Sequence, residues 1–172
     1  LNSLGKEVHF DAEHFFDGFA ANKKYAISIV KEAMAAGADW VVLCDTNGGC
    51  MPDQVGETIE SLIEDGVDGS RLGIHAHNDT ENAVANSLAA VQAGVRQIQG
   101  TLNGLGERCG NANLISLLPT LLLKPQFAEK FVTGVTSDSL KEITRASRIM
   151  DDVLNRVPNR FAPYVGSSAF AH

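Results

Sequence analysis

The sequence predicts an α/β fold in which helices flank a parallel β-sheet. Three apolar passages have the composition of buried parallel strands: WVVLC from Trp40, RLGIHAH from Arg71 and VRQIQGTL from Val95. A weaker fourth passage, EVHFDAE, begins at Glu7. Helical stretches separate these passages, so that strand and helix alternate in units of about 30 residues. Such units form right-handed crossovers, which place the helices outside a parallel sheet.

The first two predicted helices each carry apolar residues on one face. These residues are Ala26, Ile29, Val30, Ala33 and Met34 in the first helix, and Val55, Ile59, Leu62 and Ile63 in the second. The third helix, ENAVANSLAAVQAG, follows Asp79 and Thr80, either of which can cap it, and ends at Gly94. Each helix follows a strand, as a parallel sheet requires.

The last part of the chain is predicted to be helical. Residues 113–123 are apolar almost all round, which predicts a buried helix interrupted at Pro119. The sequence SLKE at 139–142 has the form of a capping box, and the apolar face of the helix that it opens ends before Pro158.

Composition favours a globular protein that acts on small molecules. The formal charge of −7 comes from scattered acids without a basic stripe, which argues against a nucleic-acid partner. No apolar run approaches the roughly 20 residues of a membrane span. The three cysteines form no CxxC pair, which favours a reducing compartment and argues against a disulfide framework or a thiolate zinc site. We therefore expect a soluble, cytoplasmic protein.

Polar residues follow every predicted strand. They are Asp11 and Glu13, then Asp45, Thr46 and Asn47, then His75, His77, Asn78 and Asp79, and finally the segment TLNGLGERCGN at 101–111. In parallel α/β folds, ligands bind at the carboxyl ends of the strands, where successive loops converge. The sequence therefore predicts a functional site at these four strand ends.

His75 and His77 are candidate metal ligands. Residues i and i+2 of a strand project to one face, so both imidazoles point the same way and can share a divalent cation, with Ala76 on the opposite side. Either histidine alone could instead be a core residue with its hydrogen bonds satisfied. Two imidazoles are an incomplete site, because catalytic metals usually take three protein ligands. A further ligand must come from elsewhere.

Three other residues are candidates on weaker grounds. Asn111 follows a glycine-rich turn that lets side chains approach a shared centre, although such turns often have no further role. Glu13 could move a proton or orient a substrate, or could be a solvated or helix-capping acid. Thr46 could donate its hydroxyl to a bound oxygen or could only begin a turn. Glu107 and Arg108 could form a structural ion pair.

Four motifs together resemble one family. DAEHFFDGF, LCDTNGG, GIHAHND and GTLNGLGERCGNANL are similar to those of metal-dependent Claisen-condensing acyltransferases related to isopropylmalate synthase, homocitrate synthase and hydroxymethylglutaryl-CoA lyase. The forms CDTNGG at 44–49 and RCGNANL at 108–114 favour the citramalate-forming branch. The resemblance covers nearly the whole chain.

The resemblance implies part of a (β/α)8 TIM barrel. Such a barrel needs about 250 residues, whereas this chain offers four strands, which correspond to the fifth to eighth. Residues 1–133 would then be the C-terminal half of the catalytic barrel, and 134–172 a helical linker and the start of a small subdomain. The first-strand motif of the family, which includes a metal-binding aspartate, is absent. We therefore expect a fragment that is inactive by itself.

The resemblance also assigns roles. His75 and His77 match the metal histidines, and Asn111 matches a weaker asparagine ligand. Glu13 matches the catalytic glutamate, and Thr46 matches the threonine that contacts the 2-oxo acid. The cation would be zinc, manganese, magnesium or cobalt. The implied reaction joins acetyl-CoA to pyruvate, giving citramalate and CoA for isoleucine biosynthesis, and a homodimer is expected.

Several alternatives remain. A sister synthase using 2-oxoisovalerate or 2-oxoglutarate would keep the same metal motif, and a hydroxymethylglutaryl-CoA lyase-like enzyme would cleave the carbon–carbon bond instead. A half-barrel that binds metal or dimerises without catalysis is a different class of function. An open flavodoxin-like sheet is disfavoured, because no GxGxxG or P-loop pattern follows the first strand.

Overall fold

The computed structural model describes residues 4–170, in which four parallel strands form one sheet. The strands lie in sequence order and comprise β1 (His9–Ala12), β2 (Trp40–Asp45), β3 (Leu72–Ala76) and β4 (Gln97–Gln99). All neighbouring pairs are parallel. The α/β class and the parallel sheet are therefore confirmed.

Helices fill the connections, as the alternating pattern predicts. They are α1 (Phe15–Ala21), α2 (Lys23–Ala35), α3 (Pro52–Glu64), α4 (Ala83–Ala93), α5 (Leu114–Leu123), α6 (Pro125–Ala128), α7 (Ser137–Leu140) and α8 (Ile143–Val153). The short helix α1 was not expected from the sequence. None of these helices, within residues 4–170, has the length and apolar character that crossing a membrane requires.

The chain folds as two compact units. Among the described residues, the first comprises 4–100 together with 106–112, and contains the sheet and α1 to α4. The second comprises 101–105 and 113–170, and contains α5 to α8. The division into 1–133 and 134–172 stays a prediction.

The two faces of the sheet differ in chemistry. In β3 and β2, Ile74 pairs with Leu43 and Ala76 pairs with Asp45, and all four side chains are buried. The other face carries polar side chains at the same level on neighbouring strands. His75 of β3 pairs with Cys44 of β2 on one side and with Gln99 of β4 on the other. The two-residue period of a strand thus separates a buried, helix-covered side from a side that carries His75 and Gln99.

Two predictions about helix starts are wrong. Neither Asp79 nor Thr80 caps α4, whose N-cap residue is Asn82. The Asp79 carboxylate instead forms a salt bridge with Arg108, which lies 29 residues further along the chain. The SLKE segment does not form a capping box at Ser139. The hydroxyl of Thr136 caps α7 by accepting a hydrogen bond from the Ser139 backbone N–H at 3.2 Å, because it lies three residues ahead of that donor.

The expected break at Pro119 is also wrong. Helix α5 continues through this residue to Leu123. Proline lacks one backbone donor, but Ile115, Leu117 and Leu121 are buried on the same helix, and this burial offsets the lost hydrogen bond. Asn113 caps the helix by accepting from the Ile115 backbone N–H at 3.0 Å.

We predict that truncation of α3 at its buried face destabilises the fold. Leu62 is fully buried, so Leu62→Ala removes apolar contact and leaves a cavity, lowering the free energy of unfolding by about 2–5 kcal/mol in urea denaturation. Glu60→Ala, on the exposed side of the same helix, is the control and should change it by less than about 0.5 kcal/mol. Equal effects of the two changes would contradict the packing described here.

Candidate active site

The two histidines of the third strand end lie side by side. The ring centroids of His75 and His77 are 5.0 Å apart, and the ring planes differ by 23°. Both side chains are half-buried on the polar face of the sheet. The structure therefore brings together the two imidazoles that the i, i+2 spacing predicts to share a face, although their ligand role stays a prediction.

Two amide side chains fix the ring of His75. Its Nδ1 lies 2.9 Å from Gln99 Oε1, and its Nε2 lies 2.7 Å from Asn111 Nδ2. A carbonyl oxygen only accepts, so Nδ1 carries the proton and Nε2 keeps its lone pair. Gln99 in turn donates through Nε2 to Asp11 Oδ1 at 3.4 Å. This series of hydrogen bonds, from Asp11 through Gln99 and His75 to Asn111, orients the imidazole of His75.

His77 has one ring nitrogen without a partner. Its Nδ1 is buried and makes no hydrogen bond within residues 4–170. Burial lowers the pKa of His77, and the neighbouring His75 and Arg108 lower it further. The ring is therefore neutral at neutral pH, which is the form of histidine that binds a metal.

Asn111 is held beside the histidines by its backbone and by a glycine. It forms an isolated bridge with His77, and the Ala112 backbone N–H donates to Ala76 O at 3.0 Å. A Cβ built on Gly106 would collide with Asn111 Oδ1 and lie 2.9 Å from its Cγ. The missing side chain at Gly106 thus leaves the space that the buried Asn111 amide occupies.

Glu13 and Thr46 form a second group at the ends of β1 and β2. Thr46 Oγ1 donates to Glu13 Oε2 at 2.9 Å and accepts from the His14 backbone N–H at 2.8 Å. His14 has a left-handed φ of 54°, which turns the chain there. The threonine hydroxyl therefore orients an exposed carboxylate.

Arg108 ties the loops after β2 and β3 together. Its guanidinium binds both carboxylate oxygens of Asp79, at 2.8 and 3.0 Å, and donates to Thr46 O at 2.6 Å. It also pairs with Glu107 at 2.8 Å, as the sequence suggested, although Asp79 is its bidentate partner. Hydrogen bonding from Arg108 lowers the pKa of Asp79, so this carboxylate is ionised.

Gly48 allows the loop after β2 to pass close to Asp79. It has a φ of +61°, and a Cβ there would lie 2.6 Å from Asp79 Oδ2 and 2.9 Å from His77 O. A larger residue would be strained by the backbone angle and would push this carboxylate away from Arg108.

Two further residues at the end of β2, Cys44 and Asp45, are buried. Asp45 is buried and accepts from the Gly49 and Cys50 backbone N–H groups at 3.2 and 3.3 Å, so it shapes the turn. Cys44 lies in register with His75, but burial raises its pKa to about 12, which leaves a neutral thiol. Cys109 is exposed.

Sequence reasoning missed the glutamines of β4. Gln97 and Gln99 alternate within a strand, and this period-2 polar pattern was the available signal that they share the face of the histidines. Gln97 Nε2 lies 3.0 Å from His9 Nδ1, and its side chain extends over Gly73. The hydrogen-bond partners of the Gln97 and Gln99 side chains are set by the register between strands, which the sequence pattern alone does not give.

The side chains present fit part of a metal site. Within residues 4–170 no three His, Cys, Asp or Glu side chains cluster closely enough to hold an ion. The two imidazoles and the Asn111 amide are the group assembled here. A half-turn of that amide would present Oδ1 instead of Nδ2 toward His75. The unpartnered nitrogen of His77 fits a metal, because a buried lone pair is costly unless it binds something.

Comparison with protein families identifies the relatives of this chain. A family model described as HMGL-like matches residues 1–148. The (R)-citramalate synthase of Synechocystis sp. is 48% identical to this chain; the match covers 100% of the chain and 32% of that protein. The (R)-citramalate synthase of Aquifex aeolicus is 51% identical, and the match covers 96% of the chain and 30% of that protein. The 2-isopropylmalate synthase of Methylacidiphilum infernorum is 37% identical over 97% of the chain and 32% of its own. The chain thus spans about a third of these relatives.

Solved structures share the fold. The superposition with the HMG-CoA lyase of Bacillus subtilis covers 80% of this chain and 45% of the lyase chain. Its TM-score is 0.66, and the two sequences are 24% identical. The N-terminal domain of a putative aldolase from Bacteroides vulgatus covers 92% of the chain and 49% of its own, with a TM-score of 0.66 and 23% identity. The partial coverage of these chains agrees with the prediction of a partial barrel.

We predict that Gly106→Ala displaces the Asn111 amide. The added methyl would collide with the Asn111 side chain, so the His75–Asn111 hydrogen bond should be lost and the free energy of unfolding should fall by about 1–3 kcal/mol. Amide NMR resonances and urea denaturation measure these effects. Gly49→Ala meets no atom within 4 Å and serves as the control. An unchanged Asn111 resonance in Gly106→Ala would contradict the close approach.

Proposed function

The chain belongs to the HMGL-like family, and from this we propose that it supplies the strand ends that bind metal and substrate in a citramalate-forming acyltransferase. In this proposal acetyl-CoA and pyruvate combine to give citramalate and CoA. The observation that carries the proposal is the pair of His75 and His77 on the polar face of the sheet, with ring centroids 5.0 Å apart, beside the Asn111 amide.

The chemistry of the ligands suits a divalent cation. Neutral imidazoles and an amide oxygen are ligands for zinc, manganese, magnesium or cobalt. His75 would use Nε2, since Gln99 holds its Nδ1 proton. Bound here, such a cation would polarise the carbonyl of a 2-oxo acid and offset the charge that develops on its oxygen. An additional ligand from outside this assembled group would complete the site.

Glu13 and Thr46 would act on the bound substrate. The hydroxyl of Thr46 is 2.9 Å from Glu13 Oε2, so the pair presents one donor and one carboxylate at neighbouring strand ends. Thr46 would turn its proton toward the 2-oxo acid, and Glu13 would hold or move a proton on the reacting groups. Arg108 fixes the Thr46 carbonyl and thereby keeps this pair in place.

The relatives favour pyruvate as the acceptor. The relatives from Synechocystis sp. and Aquifex aeolicus, at 48% and 51% identity, are named (R)-citramalate synthase, whereas the 2-isopropylmalate synthase is 37% identical. The 2-isopropylmalate reaction, with 2-oxoisovalerate, is therefore the second candidate. Both reactions are acyl transfers from acetyl-CoA, so the choice changes the acceptor and not the use of the metal.

Catalysis would require more than these four strands. A (β/α)8 barrel closes a ring of eight strands, whereas β1 and β4 here each have one neighbour in the sheet of residues 4–170. We expect the isolated 172 residues to bind metal weakly and to be inactive. We also expect association into a homodimer, because unpaired strand edges favour pairing. A cytoplasmic location remains part of the same proposal.

We predict that the 172-residue chain binds one Co²⁺ through its two histidines. His77→Ala should weaken binding about 100-fold, and Gln99→Leu about 10- to 100-fold, because the ring of His75 would lose its orientation. The visible absorption of Co²⁺ and calorimetry measure both effects. Gln97→Leu is the matched control, since it lies on the same strand face and bonds His9. Unchanged binding in a His75→Ala, His77→Ala double variant would refute the metal site.

We predict that this chain can replace its counterpart in a complete synthase. A chimera in which it substitutes for the matching segment of the Aquifex aeolicus (R)-citramalate synthase should release CoA from acetyl-CoA when pyruvate is added. His75→Ala in the chimera should reduce the rate by at least about 100-fold, whereas Lys31→Ala, an exposed residue on α2, should not. Two results with a folded chimera would contradict the proposed reaction: cleavage of a carbon–carbon bond in an acyl-CoA substrate, or condensation of acetyl-CoA with 2-oxoisovalerate but not with pyruvate.

A further inference from the structure

A cavity of about 500 Å³ lies within the second compact unit. Its walls come from the turn at Leu102–Gly104, from α8 and from the loop that follows α8. The volume is in the range of small-molecule sites, roughly 300–1,000 Å³. The lining includes none of the candidate site residues Glu13, Thr46, His75, His77 and Asn111, so the cavity is distinct from that site.

The lining of this cavity is strongly positive. It contains Arg148, Arg156 and Arg160, whereas Asp151 is its one acidic residue. Asp151 Oδ1 already accepts a hydrogen bond from Asn103 Nδ2 at 3.0 Å. Within residues 4–170 none of the three guanidinium groups forms an ion pair with a carboxylate. A concentration of unpaired guanidinium groups in a chain of net charge −7 indicates an anionic ligand.

One side of the cavity is fixed by buried hydrogen bonds. Asn103 has a left-handed φ of 55° and donates through Nδ2 to Ser147 O at 3.0 Å. Ser147 is buried, and its hydroxyl donates back to Asn103 Oδ1 at 2.7 Å. This reciprocal pair joins the turn to α8. The next residue of this helix, Arg148, lines the cavity.

The opposite side is a tightly folded loop. Arg160 donates through Nε to Ser168 Oγ at 3.3 Å and accepts through its carbonyl from the Ser168 backbone N–H at 3.0 Å. Its guanidinium lies 4.9 Å from the ring centroid of Phe161. A Cβ on Gly166 would lie 2.7 Å from Ala162 N, so the loop can close only with glycine there. Arg160 is thus positioned before any ligand arrives.

We propose that this cavity binds a small organic dianion, either a phosphate monoester or a dicarboxylate. Two negative charges match the excess of guanidinium groups over the single acid, and the planar guanidinium binds the oxygens of both anions in a bidentate manner. Apolar side chains complete the lining and would contact the carbon part of the ligand: Leu105, Ile115, Val157 and Val165.

Calorimetry on the 172-residue chain tests this inference with glycerol 3-phosphate, succinate and acetate as probes. We expect at least one dianion to bind about tenfold more tightly than acetate, and Arg148→Gln and Arg156→Gln each to weaken it by about tenfold. Binding of the phosphate ester alone identifies a phosphate site, and binding of succinate alone identifies a dicarboxylate site. Either result supports the proposal.

Arg145→Gln is the matched control for these variants. Arg145 lies on the same helix as Arg148 but pairs with Glu142 at 3.3 Å and does not line the cavity. It should leave dianion affinity unchanged within about twofold, and glutamine keeps the helix propensity at both positions. The proposal is overturned if neither dianion binds more tightly than acetate, or if Arg145→Gln and Arg148→Gln weaken binding equally.

Discussion

The position of β3 between β2 and β4 is the constraint on which the candidate site depends. Parallel pairing in register places His75 level with Cys44 on one side and with Gln99 on the other. The two-residue period of the strand then sets His77 one step further along the same face. A shift of this register by one residue would turn both imidazoles into the helix-covered side, and the hydrogen bond from His75 to Gln99 would not form.

The polar face of the sheet is stabilised by amide side chains rather than by ion pairs. Gln99 and Gln97 bridge between strands: Gln99 satisfies the half-buried ring of His75 and donates to Asp11, and Gln97 bonds the exposed His9. His77 Nδ1 is among the few buried polar atoms within residues 4–170 that this network leaves without a partner. Around it the loops are held by Arg108, whose bidentate contact with Asp79 brings the ends of β2 and β3 together. The rigid surroundings and the free lone pair are what a ligand site requires.

Much of the fold could be predicted from sequence because its signals are local. Apolar runs located β2 and β3, helical spacing located α2 and α3, and the histidine spacing predicted that two rings share a face. The failures involve partners distant in the chain: Asp79 resembles a helix cap but binds Arg108, and the amide of Gln99 finds His75 only through strand register. Pro119 was misread because buried packing outweighed a local preference. The arginine-lined cavity was invisible, since it joins a turn, a helix and a loop.

The central claim is that one divalent cation lies between His75 Nε2, His77 and the Asn111 amide oxygen. Anomalous diffraction from crystals of the chain soaked with Zn²⁺ tests it most directly, because the anomalous signal locates the ion without reference to activity. The account predicts one peak within bonding distance of both imidazoles, about 2.0–2.1 Å from each ligating nitrogen, with the Asn111 amide turned so that Oδ1 faces it. Peaks only at other residues, or an Asn111 amide still donating to His75, would contradict it.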